Sequence, residues 1–382
     1  MKILFVSSSS GSLGGGEIYL LKMAQALKGL NHEVLLWVSN HSKMDALAEQ
    51  FSEYGEVQRY DYTNTYDYRL RSLRHKFHSK SYLKKIAGTW DTANADIIHI
   101  NKQNLEDGLD LVQAVEFTTT PCVITIHMTQ TAKYLNASQA SIRDSLAYKA
   151  LKKYQGKLIT IAESRYKDLR EFLGGSHIIK NIDNGVSIPS IEDIEVNKRD
   201  LREKLNIDDN YKLVVSVGRL NKQKRPELFF ELASEVCKSR SDVKFIWVGE
   251  GELRAGCEEI ITKNRLQDYI SITGWVSNVD EYLSATDLYF HTAAYEGLAF
   301  ALLEAMAYNC TCIVYEDLFN DLPFNSEEIL VYKNLQQFQG FLDEIPHGVA
   351  RSARNKIIES YSLESMANRY LELYEEVTGA GQ

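Results

Sequence analysis

The chain alternates between short runs of apolar residues and longer segments in which apolar positions recur three or four residues apart. The runs at residues 3–7 and 213–218 are apolar at almost every position. Strands with this pattern are buried on both faces, which is typical of parallel sheets covered by helices on each side. The pattern predicts strands at residues 3–7, 33–38, 96–101, 122–127, 158–162 and 177–182, and then at 213–218, 244–248, 270–273, 288–291, 312–315 and 329–332.

Helical segments separate most of these runs, so the chain divides into two halves that each alternate strand and helix. A helix is predicted at about residues 17–30, and another begins at Pro226. The stretch at residues 189–204, rich in Ser, Asp, Glu, Lys and Asn, is predicted to be the linker. The fold class is therefore α/β, with doubly wound, Rossmann-like parallel-sheet domains at residues 1–188 and 189–361. Ligands of such sheets bind beyond the carboxyl ends of the strands, so we expect both domains to face one cleft.

Composition removes several classes of protein. The 382 residues are 44% hydrophobic and 25% charged, which suits two globular domains. A net charge of −9 argues against a nucleic-acid partner. The five cysteines lie mostly in apolar runs, which favours reduced core thiols, and the spacing of Cys310 and Cys312 does not fit zinc. We therefore expect no zinc site at these cysteines.

Two further features bear on location. The first apolar run stops at Ser7, which is too short for the apolar region of a signal peptide, about 7–15 residues. The sequence also has no run of about 18 apolar residues that would span a membrane. These features predict a cytoplasmic protein.

The segment at residues 295–307 carries the most informative chemistry, because two carboxylates stand eight positions apart in an otherwise apolar run. If Glu296 precedes a helix and Glu304 lies on its second turn, the amides of Gly297 and Leu298 face outward at the helix N-terminus, where an anion is favoured. Carboxylates for hydroxyls and amides for phosphate suit a sugar nucleotide. The alternative is a half-buried helix start with one capping and one solvated glutamate.

Two candidate sites lie in the first half. Three consecutive glycines, Gly14, Gly15 and Gly16, follow the first strand and lead into a helix, where they let the backbone approach a ligand and point amides at it. The loop fits neither the dinucleotide spacing nor a P-loop, and a flexible surface turn is the alternative. His127 ends a predicted strand, although a single histidine is more often structural.

The second half offers a basic turn after its first strand. Residues 219–225 hold four cations, Arg219, Lys222, Lys224 and Arg225, where a pyrophosphate would find charge-assisted hydrogen bonds. A solvated basic turn is the competing interpretation. The next strand ends with Gly249 and Gly251, whose small size would admit a nucleoside.

Taken in order, these motifs resemble the retaining glycosyltransferases of family 4, which have the GT-B fold. The resemblance rests on Gly14-Gly15-x-Glu17, His127, Asn184-Gly185-Val186, Gly218-Arg219-Leu220 with Lys224, Gly249-x-Gly251, and Glu296 with Glu304. It spans essentially the whole chain. It also implies that a C-terminal helix, at about residues 362–382, crosses back to the first domain. Three departures are Arg225, where a glycine is common, Asn309-Cys310-Thr311 in place of the usual Gly-x-Pro, and residues 316–321 in place of a Gly-rich turn.

The resemblance implies roles for individual residues. Arg219 and Lys224 would hold the donor diphosphate together with amides of Gly14 to Gly16, and Glu304 would bind the ribose. Glu296 and His127 would contact the donor sugar, so the residues implied in catalysis are His127, Glu296, Arg219 and Lys224. The remaining implied donor-binding positions are Gly249, Gly251, Val276, Gly297 and Leu298.

The implied reaction moves a hexosyl unit from a nucleotide diphosphate sugar, a UDP-sugar in preference to a GDP-sugar, to a glycan or glycolipid acceptor. The family expectation is retention through front-face attack, with the leaving phosphate as base. Neither a cofactor nor a divalent metal is implied, because cationic side chains offset the charge of the leaving group. The alternative is a catalytically silent nucleotide-sugar-binding or partner-binding protein on the same fold.

A basic segment at residues 67–88 hints at the acceptor. Its single acid is Asp67. Its seven cations are Arg69, Arg71, Arg74, Lys76, Lys80, Lys84 and Lys85. The apolar residues Tyr66, Leu70, Leu73 and Phe77 recur at helical spacing. Such a helix suits an anionic membrane that presents a lipid-linked glycan. A solvated helix and a groove for a polyanionic acceptor remain alternatives.

Overall fold

The computed structural model describes residues 1–9, 11, 13–64, 73, 75–175 and 177–379. The chain forms two compact units, one of Met1–Gly185 with Leu363–Gln382 and one of Val186–Ser362. The domain boundaries predicted at 188/189 and 361/362 lie close to these divisions.

The first unit is built on a seven-stranded parallel sheet with the strand order β3-β2-β1-β4-β5-β6-β7. Its elements are β1 Lys2–Ser7, α1 Gly15–Gly29, β2 Glu33–Ser39, α2 Asp45–Phe51, β3 Glu56–Tyr60, α3 Lys80–Asp91, β4 Ile97–Asn104, α4 Leu109–Ala114, β5 Cys122–Met128, α5 Ala140–Lys153, β6 Lys157–Thr160, α6 Glu163–Leu173 and β7 Ile179–Asn181. Short 3₁₀ turns occupy Ser42–Met44, His75–Phe77 and Val115–Phe117.

The second unit is built on a six-stranded parallel sheet with the order β10-β9-β8-β11-β12-β13. Its elements are α7 Ile191–Lys204, β8 Lys212–Val217, α8 Pro226–Cys237, β9 Val243–Val248, α9 Arg254–Lys263, β10 Ile270–Gly274, α10 Val279–Ala285, β11 Leu288–His291, α11 Phe300–Ala307, β12 Thr311–Tyr315, α12 Glu316–Phe319, β13 Leu330–Tyr332, α13 Leu335–Asp343 and α14 His347–Ser360. The last helix of the chain, α15 Leu363–Thr378, returns to the first unit.

The predicted fold class is confirmed, and every predicted strand is present with small shifts at its ends. The sequence pattern missed β3, because this edge strand has no fully buried residue and carries polar side chains at Gln58 and Arg59. Edge strands of this kind lack the continuous apolar run that marks the central strands.

The predicted linker at residues 189–204 is wrong, because most of this stretch is helix α7. Ser190 caps the helix by accepting a hydrogen bond from the amide of Asp193. Ile194 and Leu201 are buried, two turns apart on one face, and the polar majority of the helix faces away from them. The buried Arg202, which pairs with Asp287, also docks the helix, although the composition of the helix resembles that of a linker.

Helix α15 completes the first unit through a buried polar contact. Tyr370 and Tyr374 are fully buried, and the Tyr374 hydroxyl lies 2.6 Å from His99 Nδ1. The other ring nitrogen of His99 lies 2.7 Å from Thr125 Oγ1. Burial lowers the pKa of His99 to about 3, so its neutral ring joins two hydroxyls, one as donor and one as acceptor. The return of the C-terminal helix is thereby confirmed.

The basic segment at residues 67–88 differs from its predicted form where the structure describes it. Tyr66, Asp67, Arg69, Leu70, Arg71 and Arg74 lie outside the described residues. Beyond them, a 3₁₀ turn ends at Phe77 and Ser79 caps a separate helix, α3. Leu83 and Ile86 on α3 are buried in the core, so its apolar face is not available to a membrane. Within the described ranges, no helix combines the length and the apolar character needed to cross a bilayer.

Candidate functional site

Two loops of the second unit lie side by side because they follow neighbouring parallel strands, β8 and β11. The Gln223 carbonyl accepts a hydrogen bond from the Ala294 amide at 2.8 Å, and the Gln223 side chain donates to the Tyr295 carbonyl at 3.0 Å. Thr292 Oγ1 donates to the carbonyl of Lys224 at 2.6 Å. These bonds fix the two loops to each other, so that residues far apart in sequence form one surface.

The loops bring Lys224 and Glu296 into an ion pair between Nζ and Oε1. Their side chains are only 18% and 12% exposed. The aliphatic stem of Lys224 runs over Gly218, where a Cβ atom would lie 3.3 Å from the lysine Cδ. His291 is buried nearby, and burial, together with the charge of Lys224, holds the pKa of His291 well below its usual value. His291 is therefore neutral and does not act as a second cation beside Lys224.

Glu296 precedes a helix as predicted, but the expectation that the amides of Gly297 and Leu298 lie at the helix N-terminus is wrong. Helix α11 begins at Phe300 with Ala299 as its N-cap, so the amides of Gly297 and Leu298 precede the helix and do not belong to its first turn. The Leu298 side chain is buried, so the chain already packs against the core before the helix begins. Glu304 lies on the second turn of α11, as predicted.

Gly249 and Gly251 have a packing role. Gly249 has a φ of +144°, and a Cβ atom there would lie 2.0 Å from the Gly218 carbonyl oxygen. A Cβ atom on Gly251 would lie 2.4 Å from the Leu220 carbonyl oxygen. The Leu220 amide donates to the Glu250 carbonyl at 3.0 Å across this contact. The two glycines let the loops after β8 and β9 meet, and their contact with a nucleoside stays a prediction.

The remaining candidates of the second unit differ in exposure. Arg219 is exposed on the loop after β8. Val276 is partly buried and packs against the core beside β8 and β9. The neighbouring Trp275 is 70% exposed and was not singled out from the sequence.

Arg225, one of the four cations of the basic turn, is engaged by the protein itself. It is the N-cap residue of α8 and has a left-handed backbone with a φ of +46°. Its guanidinium donates to the carbonyls of Thr292 and Ala293 at 2.9 and 3.2 Å and lies 5.1 Å from the centre of the Tyr315 ring. The cation therefore fastens the loop after β11. Its backbone also explains why a glycine suits this position.

In the first unit, the glycine loop is organised by Glu17, a buried residue to which the sequence analysis gave no role. The Glu17 carboxylate accepts hydrogen bonds from the amides of Gly11 and Gly14, both at 2.7 Å. The expectation that the Gly14 amide points at a ligand is therefore wrong. Gly15 and Gly16 form the first turn of α1. The spacing of Gly14 and Glu17 is that of a capping box, which was the available signal.

His127 lies at the carboxyl end of β5 and is almost fully buried. Its Nε2 lies 2.6 Å from Asn101 Oδ1, and the edge of its ring meets Tyr19 with the ring centres 4.8 Å apart. Burial lowers the pKa of His127 to about 3, so the ring is neutral near pH 7. The Asn101 side chain also donates to the Gly16 carbonyl at 2.9 Å, a link that sequence analysis missed.

The side chains that commonly bind metals are His, Cys, Asp and Glu. The described part of the chain contains no group of three or more His, Cys, Asp or Glu residues placed to hold an ion. The expectation of metal independence stays a prediction.

Two α/β units, each built on a parallel sheet, with charged groups at the carboxyl ends of strands, define a Rossmann-like class of ligand-binding protein. Comparison with known families narrows this class. The family described as "Glycosyltransferase Family 4" matches residues 13–188, and the family described as "Glycosyl transferases group 1" matches residues 197–328. The chain belongs to the group 1 glycosyltransferases, which have the GT-B fold.

Individual relatives agree with this assignment. The UDP-Gal:alpha-D-GlcNAc-diphosphoundecaprenol alpha-1,3-galactosyltransferase of Escherichia coli is 25% identical over 296 residues, covering 73% of this chain and 75% of that protein. HepE of Anabaena, solved with UDP-glucose, has a TM-score of 0.76 at 18% identity and covers 98% of this chain and 100% of its own. The sucrose-phosphate synthase of Thermosynechococcus elongatus has a TM-score of 0.75 at 16% identity, with full coverage of both chains.

The left-handed backbone of Arg225 gives a stability prediction. Arg225→Gly and Arg225→Ala remove the same side-chain contacts and differ mainly in the cost of the positive φ. We expect the glycine variant to be more stable by about 1 kcal/mol, because alanine is strained in this region. Paired urea denaturation measures the difference. At Lys222, which has no positive φ, the order should reverse, and an alanine variant of Arg225 as stable as the glycine variant would contradict the assignment.

Proposed function

We propose that the protein transfers a hexosyl unit from a UDP-sugar to a glycan or lipid-linked acceptor, with retention of anomeric configuration, in the synthesis of a cell-surface polysaccharide or glycolipid. The observation that carries this proposal is the largely buried pair of Lys224 and Glu296. Taking both ions largely out of water has a cost, and a donor with a diphosphate and sugar hydroxyls gives each charge a partner.

The donor side of the proposal assigns each charge a partner. Lys224 and the exposed Arg219 bind the diphosphate, Glu304 binds the ribose, and Glu296 binds hydroxyls of the sugar. The choice of uridine is supported by the E. coli relative, whose name specifies UDP-Gal, and by HepE, whose structure contains UDP-glucose. The E. coli relative's name also specifies a lipid-linked diphosphate acceptor, which supports that acceptor class.

The proposed chemistry follows from where charge develops. When the bond between the anomeric carbon and the diphosphate oxygen breaks, positive charge grows on the sugar and negative charge on the leaving phosphate. Lys224 and Arg219 stabilise the leaving group, which makes a divalent metal unnecessary. The acceptor hydroxyl attacks from the face that the phosphate leaves, forms the new bond to the anomeric carbon, and gives its proton to a phosphate oxygen. This route retains configuration.

A donor panel tests the proposal. Incubation with UDP-, GDP- and ADP-sugars, scored for transfer or slow hydrolysis, should show turnover of a UDP-sugar that a chelator leaves unchanged. Lys224→Met is the control and should abolish the activity, because it removes the buried cation. Nucleotide binding without turnover of any donor would favour the silent alternative. Strict dependence on a divalent ion would contradict the metal-free route.

We also propose that the protein is cytoplasmic and that residues 67–88 make peripheral contact with the inner face of an anionic membrane. Among the described residues, Lys76 and Lys80 lie beside Phe77, whose side chain is 81% exposed. Each cation near an anionic surface contributes about 1 kcal/mol. Because Leu83 and Ile86 are buried, charge must supply most of the attraction. Lys76 and Lys80 also line a cavity of about 480 Å³, which suits the alternative of a polyanionic acceptor.

Vesicle sedimentation tests the membrane contact. The protein should bind anionic vesicles and not neutral ones at low salt, and high salt should release it, because exposed charges are screened over about 8 Å at physiological ionic strength. Lys76→Glu with Lys80→Glu should weaken binding. The control pair, Lys238→Glu with Lys263→Glu, changes the net charge equally in the second unit and should have a smaller effect. Equal failure to bind both kinds of vesicle at low salt would remove the membrane claim.

A further inference from the structure

A buried asparagine links His127 to the start of helix α1. Asn101 lies on β4, is fully buried, and contacts both neighbours through its side-chain amide. Its Nδ2 donates to the Gly16 carbonyl at 2.9 Å, and its Oδ1 lies 2.6 Å from His127 Nε2. One amide therefore joins the glycine loop to the histidine.

The direction of these hydrogen bonds follows from one fixed group. A backbone carbonyl such as that of Gly16 only accepts, so the NH₂ group of Asn101 must face it. The amide oxygen of Asn101 then faces His127, and this oxygen also only accepts. The Nε2 atom of His127 must therefore carry a proton. In the neutral ring, Nδ1 is left with a lone pair.

The surroundings of His127 keep this arrangement in place. The edge contact with Tyr19 restricts rotation of the imidazole ring. Its titratable neighbours are Tyr19 on α1 and His99 on β4, and burial keeps both uncharged by raising the pKa of Tyr19 and lowering that of His99. No charge from these neighbours opposes the neutral ring of His127.

We propose that Asn101 is a positioning residue that holds His127 in the Nε2–H tautomer, so that Nδ1 meets a substrate hydroxyl as a hydrogen-bond acceptor. His127 then orients the sugar and does not act as a proton donor. The same side-chain amide also binds the first turn of α1, so Asn101 fixes the position of the glycine loop relative to His127. The role of His127 toward a sugar rests on the proposed function, whereas the tautomer does not.

The tautomer is measured directly by long-range ¹H–¹⁵N NMR on the histidines of the full-length protein, with His127→Gln used to assign the signal. We expect a protonated Nε2 and an unprotonated Nδ1 that do not change between pH 5 and pH 8. A protonated Nδ1, or a mixture of tautomers, would overturn the proposal whether or not the protein is an enzyme. Absence of turnover with any donor would instead count against the proposed function and leave the tautomer result standing.

Variants separate positioning from simple loss of structure. Asn101→Leu should give a mixture of tautomers and lower kcat by about tenfold, the effect of losing one well-placed hydrogen bond, while changing the KM for the donor less than twofold. Asn101→Ser is a smaller change with the same expected direction, should the leucine variant not fold. Gln103→Leu is the control. Gln103 lies on the same strand as Asn101 and against Gly16, and its substitution should leave the His127 tautomer unchanged. An Asn101 variant with the wild-type tautomer and reduced turnover would contradict the positioning role.

Discussion

The pairing of Lys224 with Glu296 joins the two loops that follow β8 and β11 in the second unit. Both side chains are mostly removed from water, which costs several kcal/mol per ion unless geometry and neighbours offset it. The two loops that carry the pair are held together by backbone hydrogen bonds and by the guanidinium of Arg225. The glycine at Gly218 leaves room for the lysine stem. Under the proposed function, an incoming diphosphate would compete with Glu296 for Lys224 and leave Glu296 to bind the sugar.

The first unit also buries polar groups near its strand ends, but these groups are uncharged. Its sheet carries His99, Asn101, Thr125 and His127 on the face covered by helices α1 and α15, and each takes part in a buried hydrogen bond. Burial keeps both histidines neutral, so each ring has one donor and one acceptor nitrogen. The positions of the glycine loop and of the C-terminal helix thus depend on a set of directed hydrogen bonds, which is a more specific constraint than apolar packing alone.

The sequence predicted the two parallel sheets, because continuous apolar runs are a strong signal for buried strands. It also predicted Glu304 on the second turn of its helix and His127 at a strand end. It did not predict the role of Arg225, since a cation in a basic turn reads as a phosphate ligand until its carbonyl partners are known. Helix α7 was missed because few of its apolar residues are buried, and because the pairing of its buried Arg202 with Asp287 is a contact between residues far apart in sequence. The turns that Glu17 and Leu298 impose depend on tertiary contacts that no local pattern reports.

The central proposal is that the donor diphosphate replaces Glu296 as the partner of Lys224. The most direct measurement is calorimetric affinity for the free nucleoside diphosphate in Lys224→Met and Glu296→Gln, with Lys222→Met as the control for a nearby exposed cation. The account predicts a roughly 10- to 100-fold loss of affinity for Lys224→Met, from losing a charge-assisted bond. Glu296→Gln should bind the nucleotide as tightly as wild type or more tightly, because a competing carboxylate is gone. A Glu296→Gln variant that loses as much affinity as Lys224→Met would contradict the exchange.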